Sequence, residues 1–232
     1  MKFILAFLSL LMSFQLANFY PEHQEQDHNE FNTQNGSIKG TVQLASKSRG
    51  VRSGGGLYGR SALSTSQAVS TDSVLVILSG DQNSLESNAD FAILNQFDRK
   101  FQPGILPVEL GQTVRITNSD PVYHNVFSLT SPHKFDVGRR PKGEHFDVDF
   151  DKPGMVDVFC DIHSNMHAII YVLPPNTLQW KKIAGGETFE FDQIPPGTFT
   201  LTFYAMGYSE VERSVNVTSN QIADAGIITL NQ

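Results

Sequence analysis

The stretch Met155-Val156-Asp157-Val158-Phe159-Cys160-Asp161-Ile162-His163-Ser164-Asn165-Met166, with the apolar run Ala168 to Leu173 close behind it, decides how the chain is read. Val156, Val158 and Cys160 share one phase of an alternating run, so a strand should end at Cys160 with its sulfur aimed into a core. Ala168 to Leu173 reads as the next strand. It is apolar in both phases, so both of its faces need cover. The short segment from Asp161 to Met166 joins the two strands and must project His163 and Met166 back toward the sulfur. A loop of this kind is a chelate.

One short loop cannot surround a metal without leaving a face to water, so a further donor has to come from elsewhere. His124, in Val122-Tyr123-His124-Asn125-Val126, stands 36 positions before Cys160. It follows the alternating strand Thr113-Val114-Arg115-Ile116-Thr117 and a break at Asn118-Ser119-Asp120-Pro121. The candidate metal ligands are therefore His124, Cys160, His163 and Met166. Thiolate, two imidazoles and thioether are the donor set of a blue-copper centre, a trigonal His2Cys plane with a weak axial Met. They favour copper over hard cations, which take oxygen. The remaining histidines read differently. His145 lies in the polar phase of Glu144 to Phe150, His133 follows Ser131-Pro132 in a loop, and His23 and His28 sit in a polar tail. His167 opens the outgoing strand and ranks below Met166 as an axial donor.

From about Phe97 to Pro174 the chain resembles a cupredoxin of the plastocyanin, pseudoazurin and amicyanin group. Cys160-x2-His163-x2-Met166 is similar to the short ligand loop of amicyanin. His124 followed by Asn125 resembles the group's first ligand, where the Asn ties the two ligand loops together. Val108-Glu109-Leu110-Gly111-Gln112-Thr113, the Asn118-Ser119-Asp120 turn and the Lys152-Pro153-Gly154 turn fit the same pattern. Overall the chain looks like periplasmic methylamine-utilisation-protein-like and plastocyanin-like proteins. The resemblance implies an all-β Greek-key sandwich, a type 1 copper, and single-electron transfer with redox partner proteins of unknown identity. It also implies a periplasmic or secreted location. An apolar shell from Phe127, Phe159 and Ile162 is expected to limit water and tune the potential. Copper storage or delivery is the alternative use of the same ligands.

Downstream, Glu187 to Phe203 reads as two alternating strands around a Pro195-Pro196-Gly197 hairpin, with Phe199, Leu201 and Phe203 facing one way and Thr198, Thr200 and Thr202 a wet face. Together with Ala205-Met206-Gly207-Tyr208 this resembles the end of a carboxypeptidase regulatory-like (transthyretin-like) sandwich. Such modules commonly open with a Gly-Ser-Ile-Lys-Gly-Thr-Val pattern, which stands at Gly36 to Val42. The expectation is one discontinuous β-sandwich from 36–80 and 175–232, with the cupredoxin domain 81–174 inserted between its strands. The simpler alternative gives the cupredoxin its own first strands at 36–80 and leaves a separate C-terminal sandwich.

The outer parts of the chain agree with export. Lys2 and the apolar run Phe3 to Leu11 read as a signal peptide over 1–17, cleaved near Ala17, whose apolar run is too short to span a bilayer. No Cys lies there to accept a lipid anchor, and no membrane span is expected after cleavage. Residues 18–35 read as a polar linker, and Ser46 to Thr71, with Gly54-Gly55-Gly56, as a long mobile loop. A single Cys in 232 residues permits no internal disulfide and leaves the thiol free for a metal. A formal charge of −7 argues against nucleic acid or an anionic membrane surface as partner. No enzyme is expected, because a Cys/His hydrolase needs an orienting third group and an oxyanion hole that the spacing does not offer.

Overall fold

The computed structural model describes residues 34–45, 73–81 and 90–232. The signal peptide, the linker up to residue 33 and the Ser46 to Thr71 loop lie outside the described residues. What is described is all β, with no helix. The chain runs through β1 (Gly36–Leu44), β2 (Ser73–Ser79), β3 (Ala92–Phe97), β4 (Lys100–Gln102), β5 (Ile105–Val108), β6 (Thr113–Asn118), β7 (His124–Ser128) and β8 (Phe135–Arg140). It continues through β9 (His145–Asp149), β10 (Gly154–Phe159), β11 (His167–Val172), β12 (Thr177–Ala184), β13 (Thr188–Ile194), β14 (Gly197–Ala205), β15 (Val211–Val217) and β16 (Ile222–Leu230).

These strands form four sheets. Orders β4-β3-β6-β9 and β5-β11-β10-β7-β8 enclose one core. Leu94, Val114 and Ile116 enter it from one side, and Val126, Val156, Val158, Ala168, Ile170 and Val172 from the other. Orders β13-β1-β16 and β12-β2-β14-β15 enclose a second core, centred on Ile38, Val42, Val76, Leu78, Phe191 and Phe203. Alternation explains both. In β6, Val114, Ile116 and Asn118 point inward while Thr113, Arg115 and Thr117 are half-exposed, as a period of two requires.

β2, β5 and β11 break the alternation for the same reason: each is apolar in both phases and serves two layers. Ala168, Ile170 and Val172 face the first core, while Ile169, Tyr171 and Leu173 pack with Leu75, Ile77, Ile105 and Tyr204 in a third apolar cluster between the sandwiches. The expected wet face of β14 holds at its start, where Thr198 is exposed and Thr200 half-buried, and ends further along, where Thr202 and Tyr204 are buried, Tyr204 in this cluster. The expected hairpin at Pro195-Pro196-Gly197 is absent. β13 pairs with β1, whereas β14 pairs with β2 and β15, so the segment is a corner that carries the chain from one sheet to the other. Two consecutive prolines have no N–H to give to a ladder and fixed φ angles, which suits a corner better than a pairing turn.

One end of the first sandwich gathers several connections. β10 and β11 pair antiparallel up to Phe159↔His167, so the loop from Cys160 to Met166 caps that hairpin. β7 adjoins β10 through Phe127↔Phe159, which brings the β6–β7 connection, and with it Asp120 and His124, to the same end.

Candidate metal centre

Three donor atoms meet there. The Nδ1 of His124 lies 3.8 Å from the Sγ of Cys160, the Nδ1 of His163 lies 3.9 Å from the same sulfur, and the two nitrogens are 3.1 Å apart. His124 and Cys160 are buried and His163 is half-buried. An ion about 2.0–2.1 Å from nitrogen and about 2.3 Å from sulfur would, at trigonal angles, set the nitrogen–sulfur edges at roughly 3.7–3.8 Å. The two nitrogen–sulfur edges match that requirement, the nitrogen–nitrogen edge of 3.1 Å would narrow the angle between the two imidazoles at the ion to roughly 100°, and the thiolate and two imidazoles fit copper.

Met166 is buried in the same apolar cluster as Cys160. Its amide donates to the His163 carbonyl at 3.0 Å, and its carbonyl accepts from the Cys160 amide at 3.4 Å. The loop from Cys160 to Met166 is thus closed on itself by its own backbone.

His124 is also held from behind. Its Nε2 lies 2.8 Å from Oδ2 of Asp120, a carboxylate only 4% exposed. An ionised carboxylate can only accept, so Nε2 carries the proton and Nδ1 presents a lone pair to the sulfur. Asp120 also accepts the amides of Asp98 at 2.7 Å and Arg99 at 2.9 Å. Burial opposes its charge, but the Arg99 amide, the His124 imidazole and the Asp98 amide outweigh it and hold the carboxyl below its ordinary value. Asn118 fixes the segment in turn: its Oδ1 accepts the Asp120 amide at 2.9 Å, and its Nδ2 donates to the carbonyls of Val122 and Arg140 at 2.8 and 2.9 Å. His163 is pushed down, first by burial and then by neighbouring His124 and Arg99. A neutral imidazole is the form that binds metal.

His124, Cys160 and His163 therefore converge, with Met166 in the core beside the cysteine. Other expectations shift. Phe127 and Phe159 lie in the phase opposite to Cys160, where Phe159 stacks on His167 at 4.5 Å, so they do not line the sulfur. Ile162 is 37% exposed and borders the surface around His163 together with Val122, Tyr123 and Arg139. Val126, Val158 and Met166 share with Cys160 the apolar core of this sandwich instead. His167 is engaged with Asp157 at 2.7 Å on that same outer face. Asn125, expected to tie the ligand loops, is buried, and its Oδ1 has no partner. His133 lies in a loop with its Nε2 2.9 Å from the Lys152 carbonyl, and His145 is exposed. The residues that reading the chain missed are Asn118 and Asp120, taken as turn formers. Their signal was a carboxylate four positions before the candidate ligand His124, on a segment leaving a buried strand.

No family model matches the chain, and no curated protein matches it. Among solved structures it is similar to a copper-containing nitrite reductase from Thermus scotoductus SA-01, at 24% identity over 40% of this chain, with a TM-score of 0.36. That match spans 26% of the reductase. A reduced Cu(I) form of an amicyanin mutant matches at 22% identity over 38% of this chain and 87% of its own, with a TM-score of 0.35. A purple cupredoxin from Nitrosopumilus maritimus matches at 23% identity over 35% of this chain and 99% of its own, with a TM-score of 0.32. Among the described residues no helix is long and apolar enough to cross a membrane.

Proposed function

We propose that this chain is a type 1 copper protein that carries single electrons between partner proteins in the periplasm or outside the cell, with His124, Cys160, His163 and Met166 as ligands. One observation carries the reading: two imidazole nitrogens and one thiol sulfur converge on a triangle with edges of 3.1, 3.8 and 3.9 Å at the end of a sandwich. Bound there, copper supplies one reversible electron. Everything else is the work of the chain. Cys160 is held at the end of β10, and the backbone bonds between Cys160, His163 and Met166 keep the loop closed. His124 is locked between Asp120 and the sulfur. Donors fixed this firmly change little between oxidation states. His163 is the half-exposed member, and its edge beside Val122, Tyr123 and Ile162 offers the contact for a redox partner.

We also propose that 36–80 and 175–232 form one discontinuous sandwich into which 81–174 is inserted. The strand order supports this, since β1 lies between β13 and β16, and β2 between β12 and β14.

Elemental analysis with a visible spectrum tests the copper reading. One copper per chain and an intense thiolate-to-copper colour that bleaches on reduction and returns on reoxidation are expected. Cys160→Ser should be colourless with its β fold intact. A Ser variant that stays coloured removes Cys160 from the site, and ready loss of Cu(I) to an acceptor protein would point to delivery instead.

A further inference from the structure

We infer that Asp120 is the positioning residue of the centre: its buried carboxylate fixes the tautomer of His124 and lowers the reduction potential of the bound metal. The inference rests on the copper reading above. Its basis is the way one carboxylate is shared. Oδ2 takes both the His124 Nε2 at 2.8 Å and the Arg99 amide at 2.9 Å, while Oδ1 takes the Asp98 amide at 2.7 Å.

The two amides come from the turn that joins β3 to β4, with Phe97 paired to Lys100 across it. Asp98 and Arg99 both adopt left-handed φ, at 53° and 52°. Hairpin turns of this hand normally use Asn, Asp or Gly, so Asp98 suits its position while Arg99 carries a conformational cost. The turn aims both N–H groups at Asp120. From the other side Asn118 holds the Asp120 backbone, as described above. The carboxylate is thereby fixed by its own main chain and by a neighbouring hairpin before it meets the imidazole. Capping that hairpin requires only the two amides. The third contact, on the ring nitrogen farthest from the sulfur, is one a turn cap does not need.

Two consequences follow from the chemistry. With Nε2–H donated to Asp120, Nδ1 is left as a bare acceptor facing Cys160 and His163; the other tautomer would place a proton inside the ligand triangle. A full negative charge against the ring also pushes electron density toward Nδ1. That favours the dication over the monocation and so lowers the potential. Carboxylate partners of ligand histidines generally act on ligand basicity in this sense.

Two measurements on the full chain test the inference. In the metal-free wild type, long-range 1H–15N correlation should find His124 as the Nε2–H tautomer, with a slowly exchanging ring proton. An Nδ1–H tautomer would overturn the positioning role, and this measurement decides it even if variants fail to fold. In the copper-loaded protein, Asp120→Asn should still bind one copper while the ratio of Cu(II) to Cu(I) affinity falls at least tenfold, a rise in potential of about 59 mV for one electron. An Asp120→Asn protein with a lowered unfolding midpoint, full copper and an unchanged potential would show that Asp120 only caps the turn. Wild-type protein that takes up no stoichiometric copper would instead sink the copper reading, while the tautomer would still be decided by the NMR measurement.

Discussion

Around Phe191 and Phe203 the core is apolar out to its rim, where Ser79, Thr177 and Thr202 are the only buried polar residues among those described. Around His124, the other sandwich buries Gln96, Asn118, Asp120, His124, Asn125 and Ser128. Both regions are built from the same alternating strands, yet one excludes polar groups and the other collects them. A buried polar group destabilises unless it is hydrogen-bonded; Asn118, Asp120, His124 and Ser128 are held by partners of defined geometry, whereas Gln96 Oε1 and Asn125 Oδ1 have none among the described residues. The first region is stabilised by area, and its residues are replaceable by others of similar volume. The second region holds atoms in place, and its partners are not interchangeable.

The largest effect should come from the apolar side. Phe191 is fully buried, and Phe191→Ala should lower unfolding free energy by about 3–5 kcal/mol in urea titrations. The visible spectrum of the fraction that remains folded should be unaltered. A shifted absorption maximum in the folded protein would break the contrast, because it would make the apolar sandwich part of the site. Next comes Asn118→Ala, which removes the donor to two carbonyls and the acceptor for the Asp120 amide. It should cost about 1–3 kcal/mol for the groups left unpaired. Unlike the Phe191 variant, it should disturb the copper spectrum. A smaller change is expected from Met166→Leu, a swap that roughly conserves volume in a packed site and costs under about 1.5 kcal/mol. Copper should be retained with a raised potential, since the axial bond is weak and long. His167→Ala should leave both unchanged, because its ring is tied to Asp157 and Phe159 on the outer face. The reverse pattern would move the axial role to His167.

Much of this was legible in the chain. Period two in β6 and β10 gave the strands and their inward residues, and the spacing of Cys160, His163 and Met166 gave the loop. Double-phase apolarity in β11 announced a layer on each face. What was not legible depends on pairing across long separations. Thr188 to Phe203 alternates the same way whether its halves pair with each other or with strands more than a hundred residues away, so a sheet-changing corner looked like a hairpin. Asp120 sits in an Asn-Ser-Asp-Pro turn whose composition explains it fully as a loop. Only the meeting of the β3–β4 turn with His124 reveals the second use. Phe127 and Phe159 failed as a copper shell for a related reason: adjacency in sequence to Val126 and Cys160 places a strand residue on the opposite face.

The smallest effect at neutral pH lies in the seam between the two regions, and it tests whether they are one unit. Tyr171 from β11 and Tyr204 from β14 pack there with ring centroids 5.2 Å apart, and the Tyr171 hydroxyl donates to Glu210 at 2.9 Å. Burial chiefly, helped by the nearby Glu210 carboxylate, pushes the Tyr171 hydroxyl well above its ordinary value. Burial, with Asp157 and Glu210, pushes Tyr204 up to about 12. In the unfolded chain both titrate near about pH 10. Below that value each is neutral in both states and contributes no pH dependence. Above it the unfolded chain has lost protons that the folded protein keeps, so stability falls as pH rises, until the folded groups ionise as well. For Tyr204 the window runs from about pH 10 to about 12, with a slope of at most about 1.4 kcal/mol per pH unit. Tyr204→Phe should therefore be nearly silent at pH 8 and should lose less stability than the wild type between pH 10 and 11.5, as read from urea midpoints at each pH. If wild type and variant decline in parallel, the seam admits water at that hydroxyl, and the two sandwiches are neighbours that open independently.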